Sequence, residues 1–430
     1  MKSGGRISAA IEILNEVVNR HQPIAIALAD WGKAHRFAGS GDRNAIGGIV
    51  YDALRKRASI AFAFGDDSPR ALALGAAPAA LALTPDELIA ACDGQNHAPE
   101  PLSEAERAGL TRPLDGAPDH VRANIPEWLW AGFSKTFGAE AVAEGQAMAE
   151  RAPADIRVNT LKATQEKVLK ALASFEAEAS PLSPIGVRVP PPKGPARTPN
   201  LQAEAAFQAG WCEIQDEGSQ IAAALTGAGA RMQVLDLCAG AGGKTLALAA
   251  AMQNTGQIYA YDEDRNRLKP IFERVKRAGV RNVQILRAGD QAALAALGAR
   301  FDVVLVDAPC TGSGTWRRRP DAKWKLTAEQ VAQRVSEQQA ILEEGTRYVR
   351  PGGTLVYITC SILHDENGGQ IWNFRAAHPE FEAIEAGPLI DELSPGAGEH
   401  VHLQPQGGVL LTPYKTQTDG FFVILLRRRT

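Results

Sequence analysis

A doubly wound α/β domain with a mostly parallel sheet, preceded by a helical bundle and a small α+β unit, is the architecture this sequence predicts. Three observations carry that reading. Beyond about Gly210, short apolar runs ending in small or acidic residues alternate with helical patterns, as when strands and helices interleave to build one sheet. Near the start, Ile7, Ala10, Ile11, Leu14, Val17 and Val18 recur at the spacing of one helix face. Between these regions, residues 181–199 hold seven of the 26 prolines, too many for the interior of a helix or strand.

The elements follow in chain order. Ile46, Ile49, Val50, Ala53 and Leu54 repeat the helical spacing, with Asp42 placed to cap their helix. Residues 1–92 therefore read as a helical domain. The polar, proline-containing stretch 93–125 reads as a linker. A small α+β domain is expected over 126–205, with helices in Pro126–Arg151, a strand at Asp155–Thr160, a helix at Ala163–Leu172 and a rigid spacer at 181–199. From 206 to 430 the predicted strands are Gln233–Leu237, Gln257–Tyr261, Asn282–Leu286, Asp302–Val306 and Thr354–Ile358. The last run, Gly420–Leu426, is expected as an edge strand.

Composition bounds the function. With 430 residues, 45% hydrophobic and 22% charged, the chain is an ordinary folded one, neither collagen-like nor wholly disordered. Its longest uncharged apolar stretch, Ala71–Leu83, contains Pro78 and is shorter than the ~20 residues a membrane span needs, and no apolar signal core follows Met1. A cytoplasmic protein without a membrane partner, acting as a monomer, is expected. Five cysteines without a CxxC pair argue against a disulfide framework and against a structural metal. The net charge of −3 hides an uneven spread, −5 over residues 1–150, +4 over 151–200 and +5 over 251–350, so a basic face can sit inside an acidic total.

In a doubly wound sheet ligands bind beyond the carboxyl ends of the strands. The first such end is Cys238-Ala239-Gly240-Ala241-Gly242-Gly243-Lys244-Thr245, a glycine turn feeding a helix. A phosphate-binding P-loop requires glycine where Cys238 stands, and a dinucleotide fingerprint requires it where Thr245 stands. S-adenosylmethionine, which has no phosphate, fits better. Its methionine part needs close backbone approach and its ribose needs a carboxylate, which Asp262 supplies at the next strand end. Asp290, after the third strand, is a further candidate for contact with the adenine.

The fourth strand ends Asp307-Ala308-Pro309-Cys310 and the fifth ends Thr359-Cys360-Ser361. Free cysteine is most often a small buried hydrophobe. Two of them at neighbouring strand ends, beside an acid, point instead to a thiolate nucleophile. Carbon 5 of cytosine attacks a methyl group only after a thiolate has added to carbon 6, and an acid such as Asp307 near ring nitrogen 3 would steady that adduct. Spacing alone leaves open which cysteine attacks.

These residues resemble the bacterial RNA (cytosine-5)-methyltransferases of the Sun/RsmB type, within the wider Nop/Sun group, over nearly the whole chain. That family's cofactor loop is close to CAAPGGKT, its fourth strand ends DAPC and its fifth TCS. The matching residues here are Cys238–Lys244, Asp307–Cys310 and Thr359–Ser361, with Gly240-Ala241 replacing the family's Ala-Pro. Arg157-Val158-Asn159, Gln215–Ser219 and Asp419–Phe422 are similar to family landmarks, and the helical N-terminus is similar to an antitermination-factor-like RNA-binding domain. The resemblance implies a class I S-adenosylmethionine methyltransferase fold, cytosine-5 methylation of small-subunit ribosomal RNA, Cys360 as nucleophile and Cys310 as the aid to product release.

RNA contact has local support in Trp316–Lys325, which holds five basic residues and two tryptophans, a mixture suited to phosphates and stacked bases. Arg317, Arg318 and Lys323, with Arg157 and Asn159 of the family landmark, are the candidate RNA contacts. The competing readings are a non-catalytic RNA-binding or ribosome assembly factor, a transfer RNA cytosine methyltransferase, and an amino-group methyltransferase. The last lacks the aromatic it needs after Ala308-Pro309.

Overall fold

The five apolar runs expected as parallel strands all form strands, within a residue or two of their expected ends except where the fifth begins earlier, in the computed structural model, which describes residues 1–196 and 199–430. The chain divides into two compact units.

One unit gathers Met1–Ala152, Pro191–Pro199 and Trp316–Leu326. Helices at Ser3–Val18, Ile24–Ala34, Ser40–Arg55, Arg57–Phe64, Pro69–Leu81 and Pro85–Ala91 close over a core in which Ile7, Leu14, Ile46, Ile49, Leu72 and Leu74 are fully buried. Burying each such side chain contributes ~1.5–3 kcal/mol. Two helix starts are written locally. Ser68-Pro69 and Thr84-Pro85 each place a capping hydroxyl before a proline at the first helical position, and Thr84 and Glu87 complete a capping box. Asp42 is not a cap, contrary to expectation. The helix begins at Ser40 after Gly39, and Asp42 instead accepts from the chain amine and from Arg6, at 3.0 and 2.9 Å.

Residues 93–125 are not a spacer. They carry helices at Glu104–Gly109 and Asp119–Arg122 and insert Leu102 into the same core. The capping box of Ser103 and Glu106 marks a helix that a count of prolines and polar residues hides.

The second unit gathers Pro153–Pro190, Asn200–Thr315 and Thr327–Thr430. Its smaller sheet is antiparallel, in the order β2-β3-β1-β4, from β1 (Ala154–Val158), β2 (Glu178–Ala179), β3 (Gly186–Val189) and β4 (Cys212–Ile214). Strand β3 thus lies inside the expected proline-rich spacer 181–199, of which 197 and 198 fall outside the described residues. The prolines flank Gly186–Val189 and do not interrupt it.

The larger sheet contains β5 (Gln233–Asp236), β6 (Gln257–Ala260), β7 (Val283–Ile285), β8 (Phe301–Asp307), β9 (Val349–Thr359), β10 (Phe381–Ile384), β11 (His402–Leu403), β12 (Val409–Leu411) and β13 (Phe421–Arg428). Its order is β11-β12-β13-β9-β8-β5-β6-β7, with β10 also on β13. Strands β5 to β9 pair in parallel. The order reverses between β5 and β8, so a crevice opens at their carboxyl ends. Strand β13 is not an edge strand. It runs antiparallel between β9 on one side and β12 and β10 on the other, and Phe421–Leu426 are at most 6% exposed. An unbroken apolar run is what a strand buried on both faces requires.

Candidate active site

The carboxyl end of β5 turns at Gly240 and Gly242, whose φ angles of +49° and +83° lie in the left-handed region that glycine enters without steric cost. At Gly242 glycine is required, since an added Cβ would lie 2.5 Å from Ile271. The turn is latched to the end of β6. Gly240 N–H donates to Asp262 Oδ2 and Asp264 N–H donates to Oδ1, both at 2.9 Å. Asp262 is 4% exposed. Beside it opens a cavity of about 600 Å³ lined by Leu237, Cys238, Tyr261, Asp262, Gln291 and Ile341 among others, a size that suits a nucleoside-bearing ligand. Asp290 accepts from Ala293 N–H at 3.0 Å as a helix cap, while its neighbours Gln291 and Leu294 line the cavity.

Lys244, 6% exposed, pairs with Asp307 Oδ2 at 2.7 Å and lies 5.2 Å from the Phe421 ring centroid. Burial raises the Asp236 carboxyl to about 7, and Thr245 donates to it at 2.6 Å.

Parallel pairing sets Asp307 opposite Ile358, so the loops that leave β8 and β9 emerge side by side. The Cys310 and Cys360 sulfurs are 3.4 Å apart. Their hydrogen bond, in which either sulfur can donate, holds Cys360 below the ordinary thiol range although burial, Asp307 and Glu366 oppose it. The same bond, with burial, holds Cys310 well above that range. The two thiols are thus shifted in opposite directions, Cys360 down and Cys310 up.

A carboxylate that sequence reasoning missed ties the loops together. Glu366, fully buried, accepts from Thr311 N–H at 2.8 Å, from Thr311 Oγ1 at 2.6 Å, from Gln338 Nε2 at 2.9 Å and from Ser361 Oγ at 2.5 Å. Ser313 and Ser361 hydroxyls meet at 2.9 Å, and Asn367 Nδ2 donates to Ser361 O at 2.8 Å. The signal for Glu366 and Asn367 was the polar run after Ser361, which has no periodicity to draw attention to it. Gly314 N–H donates to Cys360 O at 3.0 Å, and Gly420 N–H to Gly314 O at 2.8 Å. A Cβ on Gly314 would sit 2.1 Å from Gly420 O, so the start of β13 closes directly on the cysteine loops.

Three expected RNA contacts are structural instead. Arg157 is 1% exposed and donates to Gln215 Oε1 at 2.6 Å. Asn159 Nδ2 donates to the carbonyls of Gly210 and Ala278 at 2.8 Å. Lys323 is 1% exposed, donates to Arg55 O at 3.3 Å, and is pushed down to about 7 by burial and the Arg55 charge. A basic run that packs inward looks in sequence like one that faces solvent. Trp316–Leu326 clusters with the helical unit, where Trp324 Nε1 donates to Leu54 O at 2.7 Å. Arg317 and Arg318 do line a cavity of about 400 Å³ in that unit, together with Arg43, Arg55, Arg151 and Tyr51. Arg43 and Arg55 belong to the helical N-terminus whose resemblance to an RNA-binding domain rested on Asp42-Arg43 and Leu54-Arg55, whereas Arg151 carried no signal because it is distant in sequence from the basic run.

Residues 225–427 match the family model for the 16S rRNA methyltransferase RsmB/F, and residues 125–193 match the ferredoxin-like domain of RsmF/B-like methyltransferases. The ribosomal RNA small subunit methyltransferase B of Sodalis glossinidius is 31% identical over 341 residues, covering 78% of this chain and 70% of its own. The probable ribosomal RNA small subunit methyltransferase B of Bacillus subtilis is 32% identical over 345 residues, covering 76% and 72%. The crystal structure of PH0851 superposes with a TM-score of 0.73 at 28% identity, covering 100% of this chain and 99% of that one. A methyltransferase homolog from Pyrococcus horikoshii gives 0.59 at 27% identity, covering 72% and 97%. S-adenosylmethionine is the cofactor, and the residues present fit it. Asp262 would offer a carboxylate to the ribose, and Leu237, Leu294 and Ile341 give apolar walls, while of the predicted loop 238–244 Cys238 alone is among the residues lining this cavity. With its glycine turn, paired thiols and nine-stranded sheet thus accounted for, the chain belongs to the RsmB/F family of RNA methyltransferases.

Proposed function

We propose that the protein methylates carbon 5 of a cytosine in small-subunit ribosomal RNA through a covalent adduct on Cys360. The single observation that carries this reading is the pair of thiols 3.4 Å apart beyond the adjacent carboxyl ends of β8 and β9. The Cys360 thiolate forms a bond to carbon 6, and the ring electrons move to carbon 5, which becomes nucleophilic. Asp307, oriented by Lys244, is placed to hydrogen-bond the polar edge of the ring. Bound S-adenosylmethionine supplies the electrophilic methyl group. Once the Cys360 sulfur is spent on carbon 6, Cys310 loses that hydrogen-bond partner, gives up its own proton to solvent and takes the carbon 5 proton as the bond from sulfur to carbon 6 breaks. A paired base offers neither face to a thiolate, so the target must be unstacked.

Bisulfite sequencing of RNA from cells with and without the protein tests the reading. A cytosine of small-subunit ribosomal RNA should lose its protection when the protein is absent. An unchanged ribosomal pattern, or a loss confined to transfer RNA, would refute the target.

The arginine-lined cavity supports RNA binding by the helical unit, because five arginines are among its lining residues, set against the carboxylate of Asp52 that pairs with Arg55 and Arg151, and backbone phosphates favour a positive lining. Replacing Arg43 and Arg318 together by Ala should weaken RNA binding and reduce the slope of its salt dependence by about 1–2. S-adenosylmethionine affinity should stay within about twofold, a change of only ~0.4 kcal/mol, since neither arginine lines the cavity beside Asp262. An unchanged salt slope would return this cavity to a structural role.

A further inference from the structure

The cysteines do not share one environment. Cys92 and Cys212 are 1% and 3% exposed, and burial pushes each thiol up to about 11, which leaves them inert. Cys310 and Cys360 are half-buried on loops that Glu366 and the Gly314–Cys360 hydrogen bond hold in register. Their sulfurs need to approach by only roughly 1.4 Å to reach bonding distance.

We propose that Cys310 and Cys360 form a site of reversible oxidative modification, in which a hydroperoxide oxidises Cys360 and Cys310 closes the product as a disulfide. The Cys360 sulfur attacks the peroxide, a sulfur–oxygen bond forms as the oxygen–oxygen bond breaks, and hydroxide or alkoxide leaves. Cys310 then attacks the sulfenic sulfur. The sulfur–sulfur bond forms, the sulfur–oxygen bond breaks, and the departing oxygen takes the Cys310 proton away as water. Two electrons have passed from the pair of sulfurs to the peroxide. A thiol kept ready for attack on a base is by the same property open to peroxide, and alone it would go on to irreversible sulfinic acid. A second sulfur at 3.4 Å intercepts the first product and leaves one that thiols can reduce. The bond itself stands apart from the proposed reaction; only its consequence for methyl transfer rests on that reading.

The test treats the full-length protein with stoichiometric hydrogen peroxide, followed by intact mass, peptide mapping and RNA methylation before and after dithiothreitol. The expected result is a loss of two hydrogens, a cross-link between the Cys310 and Cys360 peptides, loss of methyl transfer, and recovery of both thiols on reduction. In Cys310→Ser, with folding checked by thermal melting, Cys360 should be trapped by dimedone when it is present and, in its absence, should pass to sulfinic acid with a second equivalent of peroxide and without recovery. Wild-type protein carrying sulfinic Cys360 and free Cys310, or a Cys310→Ser protein that recovers as fully as wild type, would overturn the proposal. A cross-linked protein that still methylates RNA would overturn the cysteine roles proposed above and leave the modification standing.

Discussion

In a Cys360→Ala protein, RNA methylation and covalent adduct formation should both fall by at least about three orders of magnitude, since the attacking sulfur is gone. Cys310→Ala should behave differently. It retains the attacking sulfur and lacks the residue that aids release, so a protein–RNA adduct stable to denaturing electrophoresis should accumulate. The thiol geometry adds a second expectation. Cys310 is the leading cause holding Cys360 below the ordinary thiol range. Without that hydrogen bond the Cys360 thiol rises, less thiolate is present at neutral pH, and the rate of adduct formation should climb at higher pH than in wild type. Cys310→Ser, which keeps a hydroxyl donor, should move the profile less. Adduct trapped in the Cys360 variant and absent in the Cys310 variant would mean that the roles are exchanged.

Asp262→Ala should weaken S-adenosylmethionine binding by about a hundredfold, from loss of charge-assisted hydrogen bonds worth ~1.5–3 kcal/mol each. Two losses combine there. The ribose loses its carboxylate, and the N–H groups of Gly240 and Asp264 lose the acceptor that fixes the glycine turn. Asp262→Asn retains one carbonyl oxygen for that turn and should lose less. Calorimetry without RNA isolates this effect from substrate binding, and affinity equal to wild type in the Ala variant would remove Asp262 from the cofactor site.

What could be read from the chain and what could not differ for physical reasons. The runs at Gln233, Asp302 and Thr354 were legible because central strands buried on both faces leave unbroken apolar stretches, and Asp262, Asp307, Cys310 and Cys360 stand at the strand ends where such sheets hold ligands. The role of Glu366 was not legible, since a carboxylate that joins two loops is defined by partners at 311, 338 and 361 and by no local pattern. Lys323 and Arg157 failed in the opposite sense. Their charge suggested solvent and phosphate, yet each finds hydrogen-bond partners inside the fold. The placement of β13 escaped because strand order is set by pairing at long range, whereas the absence of a following helix is a local fact.

The contact of Gly420 with Gly314 also carries a consequence for biosynthesis. Among the strands described, β13 is the last in chain order, and on the ribosome it emerges after every residue of the cysteine loops. Until it inserts beside β9, the loop carrying Cys310 lacks the backbone clasp at Gly314, and Lys244 lacks the ring of Phe421. The nascent chain can therefore assemble its cofactor turn from β5 and β6 well before its thiols are aligned. The alignment of the two sulfurs follows the insertion of β13, after the strands that carry the cofactor turn have been made.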